Sequence, residues 1–213
     1  YDKSVQAFSR SLEYEQDSVP ALINRALALS QLGQLEEASQ DLKRAARIAP
    51  DNPLVLFNLG VLAARQNHFR QAIEHYSAAL EQEPGMAQAW NNRGIAHLET
   101  KQVEKAASDF TRALRIQDAE ASYYFNRALA WEARDRFDEA FSDYTKAINL
   151  EPDLAPAYHN RGLLRIHLNR KDKGCRDLEQ ACELGMCEQL RLLQDQGVCS
   201  SEDEDQSLSQ VRE

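Results

Sequence analysis

Apolar residues in this chain recur every 34 positions, and inside each recurrence they keep helical spacing rather than strand alternation. Counting from Val19, position 4 holds Leu22, Leu56, Trp90, Tyr124 and Tyr158, and position 24 holds Leu42, Tyr76, Phe110, Tyr144 and Leu178. Small residues mark the places where two helices must approach closely. Position 8 is Ala26, Gly60, Gly94, Ala128 and Gly162, and position 20 is Ala38, Ala72, Ala106, Ala140 and Gly174. Together with Ala45, Ala79, Ala113, Ala147 and Ala181 at position 27, these follow i, i+3, i+4, i+7 spacing and predict two helices per repeat, near positions 1 to 14 and 18 to 31. Pro50, Pro84 and Pro152 at position 32 stop the second helix. One such hairpin cannot bury its apolar face alone, so the repeats must stack.

These marks resemble the tetratricopeptide (TPR) repeat pattern W-x2-L-G-x2-Y, then A-x3-F, then P. The resemblance implies an all-α fold, a right-handed solenoid of stacked helical hairpins ended by a capping helix. The expected organisation is a second helix of a preceding partial repeat at 1–18, repeats at 19–52, 53–86, 87–120, 121–154 and 155–188, a capping helix at 189–199 and an acidic flexible tail at 200–213. Val5, Phe8 and Leu12 form the face that the leading half-repeat needs, and the chain is expected to continue upstream. At the other end, position 17 changes from apolar in Leu35, Phe69, Val103 and Phe137 to Lys171, which reads as an end facing solvent.

Charge falls into the same register. Position 7 is Arg25, Arg93, Arg127 and Arg161, and position 23 of the same repeats is Asp41, Asp109, Asp143 and Asp177. The second repeat changes both, to Leu59 and His75. This joint change predicts an arginine on the first helix reaching an aspartate on the second helix of its own repeat, a structural pair rather than a catalytic one.

Position 6 is asparagine throughout: Asn24, Asn58, Asn92, Asn126 and Asn160. Asparagine is a mediocre helix former, and its carboxamide both donates and accepts hydrogen bonds. If positions 4, 7, 8 and 11 face the hairpin, positions 2, 5, 6, 9 and 13 lie opposite, on the side that lines the concave groove in TPR proteins. The ladder is then a candidate grip on a peptide backbone, with Phe57, Asn91, Phe125 and His159 at position 5 completing the candidate groove. Bonding to a neighbouring helix or to water is the competing role for each amide. The resemblance also disfavours a carboxylate clamp for acidic chaperone tails, which needs lysine at position 5 and asparagine at position 9. The Asn-lined repeats look more like the peptide-gripping superhelices attached to glycosyltransferases.

A formal charge of −9 and no basic stripe exclude nucleic acid as a partner of this fragment, and no apolar run is long enough for a membrane span. His68, His75, His97, His159 and His167 form no metal-ligand motif, and no phosphate loop or nucleophile signature is present. No cofactor, metal or enzymatic activity is expected. The function expected is a non-catalytic scaffold that binds a peptide segment of a partner protein, the alternatives being a homo-oligomerising module or a regulatory TPR domain of a larger protein.

Four cysteines, Cys175, Cys182, Cys187 and Cys199, crowd the last quarter. They lack the CxxC spacing of a zinc knuckle, which leaves buried thiols or disulfides. Cys175 and Cys182 sit about 10.5 Å apart along one helix, too far to bond. A chain reversal near Gly185 would instead nest Cys182 with Cys187 and Cys175 with Cys199. The cysteine block is similar to the ends of some bacterial TPR proteins, and bridged cysteines would favour an extracytoplasmic compartment, a periplasm or cell surface.

Overall fold

The computed structural model describes residues 1–199. The segment 200–213, read from sequence as an acidic tail, lies outside the described residues. Twelve helices and no strand are found among the described residues, and the chain divides into two compact units, Tyr1–Asp118 and from Ala119 onward. No helix there is long and apolar enough to cross a membrane.

The first unit comprises α1 (Asp2–Tyr14), α2 (Val19–Gln31), α3 (Leu35–Ile48), α4 (Pro53–Arg65), α5 (Phe69–Gln82), α6 (Ala87–Glu99) and α7 (Val103–Ile116). Helices pair as α2 with α3, α4 with α5 and α6 with α7, and each first helix also packs on the second helix before it. The second unit comprises α8 (Ala121–Glu132), α9 (Phe137–Leu150), α10 (Ala155–His167), α11 (Lys171–Glu183) and α12 (Glu188–Asp195), paired α8 with α9 and α10 with α11, with α12 against α11. Second helices begin at position 17, one residue ahead of the spacing-based expectation. Proline opens α2, α4 and α10, where its missing N–H costs no bond, and the Asn52 side chain caps α4 by accepting from the N–H groups of Leu54 and Val55.

Every first helix ends in the same reversal. Position 15, occupied by Gly33, Asn67, Lys101, Asp135 and Asn169, has φ between 55° and 78°. The next N–H then bonds five residues back, as in Gln102 N to His97 O at 2.7 Å and Arg136 N to Trp131 O at 2.9 Å. Only the first repeat uses glycine there, so residue type alone gave no warning of a left-handed site at Lys101.

Positions 8, 20, 24 and 27 are buried as their spacing requires. Positions 3 and 10 are buried as well, in Ala21, Val55, Ala89, Tyr123 and Ala157 and in Ala28, Leu62, Ala96, Ala130 and Leu164. The first helix is therefore covered on more than the one face it turns to its hairpin partner. In the last repeat the two helices touch backbone to backbone. A Cβ added at Gly174 would meet the Gly162 carbonyl at 2.7 Å, and one at Gly162 would meet the Gly174 carbonyl at 2.9 Å. At Gly60 the obstacle is only the Tyr76 ring, and Ala128 already sits at the equivalent place in the repeat that carries Tyr144. Gly174→Ala is expected to destabilise by about 1–3 kcal/mol, although alanine favours helix by ~1 kcal/mol, while Gly60→Ala stays near neutral. Urea unfolding of the two variants checks this, and equal losses would contradict it.

The repeated charges form clamps. Arg25, Arg93, Arg127 and Arg161 each grip both carboxylate oxygens of Asp41, Asp109, Asp143 and Asp177, at 2.6 to 2.9 Å. The third guanidinium nitrogen crosses to the preceding second helix: Arg25 donates to Ser9 Oγ at 3.2 Å, Arg93 to Ser77 Oγ at 3.0 Å and Arg161 to Thr145 Oγ1 at 3.2 Å. These three clamps thus each join three helices. The exception in the second repeat has the same logic, because Leu59 faces a preceding second helix with Lys43 in the hydroxyl position. Where position 4 is aromatic the arginine also lies over the ring, 4.6 Å from Trp90, 5.7 Å from Tyr124 and 5.5 Å from Tyr158. The hydrogen bond to Asp41 holds the Arg25 guanidinium above its ordinary range.

Two disulfides fasten the end of the second unit, Cys175–Cys199 and Cys182–Cys187. They tie α11 to the segment around α12, over a cluster of Leu178, Leu190, Leu193 and Val198.

Candidate peptide-docking face

In the first unit, α2, α4 and α6 stand side by side, with positions 2, 9 and 13 on their outer side. These positions are a helical stripe, so each helix contributes one row. The row on α2, Pro20, Asn24, Leu27 and Gln31, is exposed along its whole length. Leu54 on α4 is 53% exposed, Leu27 41% and Ile95 on α6 36%, so each of the three helices leaves one aliphatic side chain in water on this side. Between α2 and α4 lies a pocket of about 200 Å³ lined by Val19, Pro20, Ile23, Asn24, Asn52 and Leu54. Farther along the same seam, Leu27, Asn58, Val61 and Arg65 border a slot of about 20 Å³, which is closed to a ligand. Arg65 fastens it by donating to the Ser30 carbonyl at 2.7 Å.

The asparagines of position 6 have unlike environments. Asn24 is exposed; Asn58 is buried and donates to the Leu54 carbonyl of its own helix at 2.7 Å. Asn92 stands toward the Tyr76 hydroxyl, whose pKa it pulls down against the effect of burial, and Asn160 donates to the Tyr144 hydroxyl at 3.5 Å. Asn126 is half-buried. An amide at position 6 thus meets a phenol where position 24 of the preceding repeat is tyrosine, as it is before Asn92 and Asn160. Burial pushes the Tyr76 hydroxyl up to about 12, and burial together with a 2.7 Å bond to Glu132 raises Tyr144 still further.

Position 5 turns inward more than its place on the wheel suggests. Phe57 and Phe125 lean on Tyr76 and Tyr144, with ring centroids 5.8 and 5.9 Å apart. Asn91 is buried and donates to Asn92 Oδ1 at 3.3 Å. His159 is half-buried with Nδ1 enclosed, and burial lowers its pKa. It borders a pocket of about 560 Å³ with Met186, Cys187 and Leu192 at the turn into α12. His97 is buried 3.7 Å from Asp109, and desolvation holds its imidazole low, so near neutral pH this contact is not an ion pair. No group of three or more histidine, cysteine or acidic side chains that could hold a metal ion occurs among the described residues. Leu27 and Ile95 are legible in the sequence, because position 9 is apolar in every repeat. Leu54 at position 2 is not, because proline, glutamine and serine occupy the other copies.

Sequence families described as tetratricopeptide repeat match residues 57–121, 121–154 and 155–184, and one described as TPR repeat matches 26–67. The small glutamine-rich tetratricopeptide repeat-containing protein 2 of Mycosarcoma maydis is 30% identical over 84 residues, which cover 39% of this chain and 24% of that protein. The chain therefore spans about a quarter of that relative. Among solved structures, YrrB, described as a TPR protein with an unusual peptide-binding site, superposes with a TM-score of 0.72 at 19% identity, covering 90% of this chain and 99% of YrrB. Pseudomonas aeruginosa pilF gives 0.76 at 19% identity, over 87% and 89% of the two chains. The Cut9–Hcn1 assembly of the APC/C gives 0.79 at 18% identity, over 89% of this chain and 38% of that one.

Proposed function

We propose that this chain, which belongs to the tetratricopeptide repeat family, is a non-catalytic scaffold that holds a segment of a partner protein on the α2–α4–α6 face of its first unit. The observation that carries this is the exposure of Leu27, Leu54 and Ile95 on the outward stripes of α2, α4 and α6, with Leu54 and Asn24 lining one pocket between α2 and α4. Three large aliphatic side chains left in water are costly to a monomer, at ~25 cal/mol for each Å² that a partner could cover. The segment that fits has aliphatic side chains for this surface and a backbone amide for the free Asn24 carboxamide. Asn58 and Asn92, whose amides are engaged within the fold, and Phe57 and Phe125, which lean on tyrosines, shape the floor more than they reach a ligand. YrrB, which shares the fold, is described as having a peptide-binding site, and that likeness supports a peptide as the ligand class.

Selection from a random peptide display library against the immobilised chain should enrich sequences with two or more aliphatic residues. Leu27→Glu with Leu54→Glu is expected to weaken the enriched peptides at least tenfold with an unchanged melting temperature, because both side chains are exposed. Equal binding by the double variant would remove this face from the function.

A further inference from the structure

At the start of α11, Asn169, Arg170, Lys171, Asp172, Lys173 and Arg176 line an open pocket of about 510 Å³ in the second unit. Four cations face one carboxylate there, in a chain whose formal charge is −9. None of the four is ion-paired among the described residues. Arg176 reaches only the Asp172 carbonyl, at 3.4 Å. The charge is also specific to this repeat: Lys171 stands where Leu35, Phe69, Val103 and Phe137 supply an apolar side chain, and it is exposed.

We propose that this basic pocket docks an acidic peptide segment, and that the occupant is the chain's own Glu202-Asp203-Glu204-Asp205. Three observations select that segment. It is the densest run of acids in the sequence, four consecutive carboxylates against four cations. It follows Cys199, which the disulfide to Cys175 holds at a Cα–Cα distance of 5.5 Å, on the same helix as the pocket. Cys175 is next to Arg176 and about 6 Å along the helix axis from Lys171. Three to six residues beyond Cys199 reach at most roughly 10 to 20 Å, which spans that distance. A tether this short keeps the acids at an effective concentration on the order of millimolar, so a modest intrinsic affinity suffices to fill the pocket. The outer disulfide then has a second role as the anchor that aims the acids at the cations.

The probe is a fluorescein-labelled synthetic peptide with the sequence of residues 200–213, read by anisotropy against the oxidised chain truncated after Cys199. Binding is expected, and it should weaken steeply as salt is raised from 50 to 500 mM, because the contacts are charge pairs at a surface. Lys171→Glu with Lys173→Glu should weaken it at least tenfold; both side chains are exposed, and the circular dichroism of the variant should match that of the parent. Lys171→Gln with Lys173→Gln should give an intermediate loss. The untruncated chain should bind the probe at least tenfold more weakly than the truncated one, since the tethered copy competes. No binding by the truncated chain, or equal binding by the Glu variant, overturns the pocket. Equal binding by the untruncated chain overturns the tail as occupant and leaves the pocket to an acidic segment of a partner.

Discussion

Replacing Arg93 by leucine is expected to lower the unfolding free energy by roughly 3 kcal/mol, the range found when one member of a buried ion pair is removed. The loss comes from what is left behind. Asp109 is 4% exposed, and without the guanidinium its carboxylate would keep only the His97 imidazole, held neutral by burial. The bond from Arg93 to Ser77 disappears with it, loosening α6 from α5. Arg161→Leu should lose less than Arg93→Leu although Arg161 is the more buried, because Arg165 lies 2.6 Å from the same Asp177 and remains. Arg93→Leu combined with Asp109→His copies the Leu59 and His75 of the second repeat. The double variant should recover about half or more of the summed single losses in a urea-denaturation cycle. Strict additivity, or an equal effect at Arg93 and Arg161, would refute the clamp.

Removing the outer disulfide by Cys175→Ala with Cys199→Ala should destabilise the second unit by about 3 kcal/mol, from the unfolded-state entropy of a loop closed over a sequence separation of 24. The effect should be local. Leu190, Leu193 and Val198 are held over Leu178 on α11, and few other helices support them. Hydrogen exchange should therefore speed up at the amides of α12 well before those of α8 and α9. Mass spectrometry of the parent protein kept from reductant should find no free thiol, and four free thiols would remove the disulfides together with this expectation.

The sequence alone determined the architecture, since a 34-residue period with small residues at positions 8, 20 and 27 admits only stacked helical hairpins. It also determined the Arg–Asp pairing, through the joint change to Leu59 and His75, and it excluded a Cys175–Cys182 bond by helix rise. These inferences are local: each depends on spacing within one helix or one hairpin. What passes between repeats was decided only by the tertiary structure. Five identical asparagines differ because an amide meets whatever the preceding second helix offers, a phenol from Tyr76 or Tyr144 but only an aliphatic side chain from Leu42. The hydroxyl partners Ser9, Ser77 and Thr145 escaped notice for the same reason, as did the burial of positions 3 and 10, which a wheel drawn for one hairpin leaves uncovered. Lys101 in a left-handed conformation shows the limit from the other side. There the packed helices impose a backbone that the residue would not choose alone.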